Sequence, residues 1–133
     1  MPFVLDSSVT AVWALGNEDS TIAEAAALRL KQEAAVVPSV WWYEIRNLLV
    51  VNERRRRLTA SDSALFLSLI SAYPIRIEPA EDEQTIFQFA RQYGLSFYDA
   101  AYLAVAHRHR APLATLDKAL QAAALAAGIV LIS

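Results

Sequence analysis

One pattern constrains this chain more than any other. Apolar runs of three or four residues, several closed by an aspartate or a proline, alternate with longer stretches whose apolar residues recur at helical period. Short strands separated by helices are joined by crossovers rather than hairpins, so the pattern predicts an α/β chain with a mainly parallel sheet. Strands are expected at 3–5, 35–37, 75–77, 113–116 and 129–132. With right-handed crossovers, this makes a three-layer α/β/α sandwich around a five-stranded sheet.

The helical stretches carry their own punctuation. Gly16-Asn17 stops the first helix, and Gly94 stops the one that follows the third strand. Thr21 and Glu24 have capping-box spacing and open a helix to about residue 33, and Thr59 and Asp62 repeat the pattern for a helix ending near Tyr73-Pro74. Ser96 caps a helix running to His109, and a helix over 39 to 56 carries Val40, Glu44, Leu48 and Val51 on one stripe, read here as the core-facing one. No repeat, linker or low-complexity tract divides the chain, and its 133 residues are expected to form a single domain over 1–133.

Composition removes whole classes of function. With 56% hydrophobic and 20% charged residues the chain is not of the disordered kind. No apolar run approaches the roughly 18 residues of a membrane span, and the amino terminus meets Asp6 too soon for a secretory signal. The absence of cysteine excludes disulfides, a thiol nucleophile and thiolate metal sites, and makes the cytoplasm the expected location. A net charge of −2 argues against a protein that coats nucleic acid and leaves room for a local positive patch.

Four acids stand where solvation alone does not explain them. Asp6 and Asp117 each close an apolar strand, so a parallel sheet puts both on one edge, although each also suits the N-cap of the following helix. Glu44 shares its stripe with Leu48 and Val51, and a carboxylate there needs a partner: a cation, a hydrogen-bond network, or an internal salt bridge to Arg46 or Arg76. Asn47, one turn on, is placed to bond that carboxylate or a water beside it. Asp99 precedes Tyr102, Leu103 and Ala106 on an otherwise apolar face and is also the capping-box acid for Ser96. Two unit charges about 4 Å apart repel by roughly 4 kcal/mol at an effective dielectric near 20. A divalent cation relieves that repulsion, and an all-oxygen set without cysteine favours Mg²⁺ or Mn²⁺.

These motifs taken in order resemble the PIN-domain endoribonucleases, most closely the VapC-type toxins of toxin–antitoxin pairs. The resemblance runs through Val4-Leu5-Asp6-Ser7-Ser8-Val9, Val37-Pro38-Ser39 with Glu44 and Asn47, Gly94 to Ala104 around Asp99, and Pro112 to Asp117. It implies that Asp6, Glu44, Asp99 and the more variable fourth acid Asp117 are the catalytic, metal-binding acids. Ser8, Asn47 and Thr115 then hydrogen-bond those acids or their waters. It further implies cleavage of RNA by water activated at Mg²⁺ or Mn²⁺, leaving a 5′-phosphate and a 3′-hydroxyl. A homodimer and an antitoxin whose carboxy-terminal segment covers the active-site groove are implied as partners.

Other features have two readings each. Arg54, Arg55, Arg56 and Arg57 either guide RNA towards the acids or form a solvated helix end favoured by the macrodipole. His107 and His109 close a helix amid arginines, and could instead serve as a general base for metal-free cleavage. Trp13, Trp41, Trp42 and Tyr43 exceed what one small core needs, so some are expected at an interface. Two further alternatives are an aspartate-nucleophile phosphatase, against which Ser8 occupies the place of the second aspartate of Asp-x-Asp, and a non-catalytic binding module of the same fold.

Overall fold

The computed structural model describes residues 1–16 and 18–133. The apolar runs form β1 (Phe3–Leu5), β2 (Ala35–Val37), β3 (Ile75–Ile77) and β4 (Leu113–Ala114). The helices are α1 (Ser7–Leu15), α2 (Thr21–Leu30), α3 (Ser39–Arg54), α4 (Ala60–Ile70), α5 (Glu83–Tyr93), α6 (Phe97–His109) and α7 (Lys118–Ala126). All strand pairs are parallel, in the order β3-β2-β1-β4.

The α/β class and parallel sheet are as expected, but among the described residues the sheet has four strands rather than five. The 129–132 segment reaches it through a single bridge between Leu113 and Leu131, with Leu113 N–H donating to Val130 and Ile132 N–H to Leu113. β4 stops at Ala114, and just beyond it the Thr115 hydroxyl accepts from Asp117 N–H.

Strand order fixes the layers. The chain steps from β1 to β2 to β3 in one direction and then returns to the far side of β1, so right-handed crossovers put α1–α4 on one face and α5–α7 on the other. α6 packs against β1 and β2 and is buried from Ala100 through Ala106, which explains its lack of a polar stripe. Gly16 and Gly94 end α1 and α5 with φ of 60° and 65°, the left-handed conformation that glycine adopts without strain. Asn17, expected to share the first of these stops, lies outside the described residues. Thr59 and Asp62 form the expected capping box, with both reciprocal bonds. At α2, however, the cap is Ser20, whose hydroxyl accepts from Ala23 N–H, one residue earlier than the expected Thr21, which is already helical.

The face of α3 also differs from expectation. Its buried residues are Trp41, Ile45, Leu49 and Asn52, whereas Val40, Glu44, Leu48 and Val51 lie one position round the helix and are only partly buried. The acid is therefore on a flank of the helix, where an opening in the fold receives it. Among the described residues, no helix is long and apolar enough to cross a membrane.

Candidate metal centre

The order reverses between β1 and β4, where Leu5 pairs with Ala114 and Asp6 N–H donates to the Ala114 carbonyl at 3.0 Å. This sets Asp6 beside Thr115 at the carboxyl edge of the sheet, the usual place for a ligand site in such folds. Asp6 is 3% exposed and sits at the N-cap of α1 without capping it. Its Oδ2 instead accepts from Ser8 Oγ at 2.6 Å and Thr115 Oγ1 at 2.7 Å. Ser8 Oγ in turn accepts from Leu116 N–H, and Thr115 Oγ1 from Asp117 N–H. The first turn of α1 is thus tied to the entry of α7. Burial pushes the Asp6 carboxyl up, the charge of Asp117 adds to this, and the bonds from Ser8, Thr115 and the Ser7 backbone oppose it.

Glu44 projects from α3 into the same cavity, where its Oε1 accepts from Tyr102 Oη at 2.6 Å. Burial raises this carboxyl as well, with further contributions from Asp6 and Asp99, against the hydrogen bonds of Tyr102 and Ser7. Tyr102 is fully buried, and burial together with the nearby acids drives its hydroxyl far above the ordinary range, so it remains a donor. Asp99 occupies the first turn of α6, with its N–H bonded to Ser96 Oγ at 3.0 Å. Its carboxyl is raised by burial and by the charges of Asp117 and Asp6. Asp117 does cap its helix: Oδ1 accepts from Leu120 N–H at 3.0 Å.

The four acids, drawn from four separate places in the chain, line one open cavity of about 580 Å³. Among the described residues the salt bridges are Arg29–Glu33 and His109–Glu78, so none of the four acids is paired with a cation. The expected alternative for Glu44 is therefore not realised: Arg46 stacks over the Trp42 ring at 4.0 Å, and Arg76 is exposed on the edge strand β3. Asn47 lines the cavity, but the side-chain hydrogen bond to Glu44 comes from Tyr102 instead.

No three of these carboxylates, nor any other three such groups among the described residues, are gathered into a ready-made ion-binding group. Three of them are engaged elsewhere: Asp6 by two hydroxyls, Glu44 by Tyr102, Asp117 by the N–H of Leu120. The donor chemistry nonetheless fits a hard divalent cation. Three carboxyls destabilised by burial and by one another are what such an ion would relieve, and every donor is oxygen.

Of the four arginines, Arg55 and Arg57 line the cavity and Arg54 and Arg56 do not. His109 pairs with Glu78 at 2.6 Å and His107 stands edge-on to Phe89, both near the opposite end of α6 from Asp99, roughly 12–15 Å along the axis. Trp41 is buried and bonded to Thr10, whereas Trp42 and Tyr43 are exposed. Sequence reasoning missed Tyr102 as a partner of the site, reading it only as part of an apolar face. The signal available was that a buried tyrosine hydroxyl needs an acceptor. It also missed Ser7, which lines the cavity beside Asp6.

A family model described as PIN domain matches residues 3–126. PIN domains are generally nucleases that use a divalent metal. The fold is shared with PAE2754 of Pyrobaculum aerophilum at a TM-score of 0.71 and 21% identity, over 92% of this chain and 87% of that one. It is shared as well with Mycobacterium tuberculosis VapC20, described as a sarcin-ricin loop cleaving toxin, at a TM-score of 0.58 and 18% identity, over 98% and 97% of the two chains. No curated protein matches the chain in sequence.

Proposed function

We propose that this chain, which belongs to the PIN domain family, is a Mg²⁺- or Mn²⁺-dependent endoribonuclease, a single domain over 1–133 acting as the toxin of a toxin–antitoxin pair. The observation that carries the reading is the meeting of Asp6, Glu44, Asp99 and Asp117 in one cavity without a cation partner. In this reading these four are the catalytic acids and the groups that would hold the ion. The bound ion would supply charge neutralisation at the phosphate and activation of the attacking water.

The rest is work for the chain's own residues. Ser8 and Thr115 both donate to Oδ2 of Asp6 and Tyr102 donates to Oε1 of Glu44, so these hydroxyls orient two of the carboxylates that would hold the ion. Asn47, exposed at the cavity wall, is assigned to a water or to substrate. Arg55 and Arg57, which line the cavity, draw the RNA backbone towards the acids, and Arg54 and Arg56 add positive charge outside it. Ser8, donating to Asp6, stands where a phosphatase would need its second aspartate, which disfavours that alternative.

The substrate class is single-stranded or loop RNA, whose bases are unstacked; the loop-cleaving description of VapC20 is in keeping with it. The partners are an antitoxin that covers the cavity and a second copy of the chain. The exposed Trp42 and Tyr43 at the start of α3, with Phe97 and Tyr98 at the start of α6, offer the second copy an aromatic surface. The cytoplasm is the place where these partners would meet.

The test is to map RNA ends after induced expression, comparing the intact chain with Asp99→Asn. New 5′-phosphate ends are expected only with the intact chain, and in vitro cleavage is expected to stop in chelator. Ends that persist with Asp99→Asn, or 2′,3′-cyclic phosphates formed in chelator, overturn the reading.

A further inference from the structure

The cavity has two chemically distinct ends. The four acids occupy one; Arg55 and Arg57 occupy the other, with Asn52 in the wall beside them. Helix α3 separates their backbones: Glu44 and Arg55 are eleven residues apart, about 16 Å of helix rise. Between the ends, Leu48 and Val51 of α3 and Ala11 and Leu15 of α1 form an apolar stretch of wall.

Backbone and side chain both shape the far end. Past α3 the chain reverses through Arg56 at φ 58°, with Arg56 N–H donating to Glu53 and Arg57 N–H to Asn52 at 2.9 Å. This closure ordinarily employs glycine. Here it accompanies an alternation in which Arg55 and Arg57 line the cavity and their neighbours do not. Asn52 is 4% exposed, and its Nδ2 donates to the Leu48 carbonyl at 2.8 Å, which fixes the orientation of the amide. Among the described residues, its Oδ1 is the buried side-chain polar atom left without a partner. A buried acceptor without a donor is costly, and at a cavity wall its donor is supplied by what the cavity binds.

We propose that this end is a nucleotide subsite remote from the cut: Arg55 and Arg57 grip an RNA phosphate other than the scissile one, and Asn52 Oδ1 accepts a hydrogen bond from the nucleotide lying on the apolar wall. The proposal rests on the ribonuclease reading and deepens it, because it makes recognition depend on RNA well to one side of the cleaved bond. The donor is a ribose 2′-hydroxyl or a base amino group.

The test measures binding of a mixed-sequence single-stranded RNA of about twelve nucleotides, a length within single-strand site sizes, by fluorescence anisotropy in the Asp99→Asn background. Adding R55A and R57A is expected to lower affinity at least about tenfold and to flatten the slope of log K against log salt by about 0.7, the value for one neutralised phosphate on a single strand. Adding R54A and R56A, which remove the same charge outside the cavity, should cost much less. N52L should lower affinity about fivefold to tenfold with little change in melting temperature, since losing the Nδ2 bond to Leu48 is offset by removing the orphaned acceptor. RNAs carrying a single 2′-deoxynucleotide, or a single purine without its amino group, moved along the strand, identify the donor: one substitution weakens binding to the parent and leaves N52L unaffected.

Equal losses for the two arginine pairs, an N52L variant that binds as its parent does, or a parent that binds no RNA each overturn the subsite. A wild-type chain that fails to cleave RNA while these binding differences persist sinks the ribonuclease reading instead and leaves the subsite standing.

Discussion

Asp6 and Asp117 occupy the same local position in neighbouring parts of the fold. Each follows a parallel strand, each is the N-cap residue of the next helix, and the strands they follow are paired. Their carboxylates do different things. Asp117 bonds Leu120 N–H, as an N-cap does, and is partly exposed. Asp6 is buried, leaves its helix uncapped and is held by hydroxyls from Ser8 and from Thr115, which is 109 residues away. An identical motif therefore serves two purposes, and burial separates them: a charge held dry without a cation works against the fold unless a ligand relieves it.

The largest effect that would separate the two acids is on cleavage. Asp6→Asn should lower RNA cleavage at least about a hundredfold in a chain that stays folded by circular dichroism, and Asp117→Asn only about tenfold, one hydrogen bond's worth of transition-state stabilisation. Equal losses would break the comparison. Next comes the response to Mg²⁺ or Mn²⁺. At a hundredfold excess over the dissociation constant the intact chain should gain about 2.7 kcal/mol in urea unfolding. Asp6→Asn should abolish most of that gain and Asp117→Asn little of it. A flat titration of the intact chain would remove the ion from the site.

The helix-capping role is smaller and opposite in pattern. Asp117→Ala should cost about 1 kcal/mol of stability through loss of the cap, whereas Asp117→Asn, an equally good cap, should be close to neutral. In ion-free buffer Asp6→Asn should instead raise stability, because it removes a charge that the fold holds at a penalty.

The smallest effect, the pH dependence of that gain, sharpens its cause. Asp6, Glu44 and Asp99 all lie above the ordinary carboxyl range when folded. Above those raised values the acids are ionised in both folded and unfolded chains, and the fold bears the full penalty. As the pH falls through them the folded chain protonates first and the penalty lifts. The advantage of Asp6→Asn in ion-free buffer should therefore be greatest near neutral pH and shrink as the pH drops into the carboxylate range. The capping aspartates Asp62 and Asp82, which are lowered by their hydrogen bonds, shift in the opposite sense and are common to both chains, so the difference between the chains isolates Asp6. An advantage that grows on acidification would contradict burial as the cause.

Much of this was legible from the residues alone, where the information is local. Apolar runs found their strands, Thr59 with Asp62 announced a capping box, Gly94 marked a helix end, and the four acids stood out because each interrupts an apolar pattern. The errors came from neighbours that no local pattern can supply. A one-residue rotation put Glu44 at the flank of α3 rather than on its core face, because the helix packs on α1 and buries Trp41, Ile45 and Leu49. The 129–132 run is as apolar as a strand but meets β4 at one bridge.

By itself, the sequence determined the order of strands and helices and the residue types available for chemistry, since both follow from periodicity and side-chain identity within a few turns of chain. Only the tertiary structure decided that Tyr102 donates to Glu44 across 58 residues, that Ser8 meets Thr115 across 107, and that Arg55 and Arg57 share a cavity with the acids. Those contacts depend on which elements pack side by side, and burial, which turns an ordinary helix-capping aspartate into a charge in need of a cation, exists only once they do.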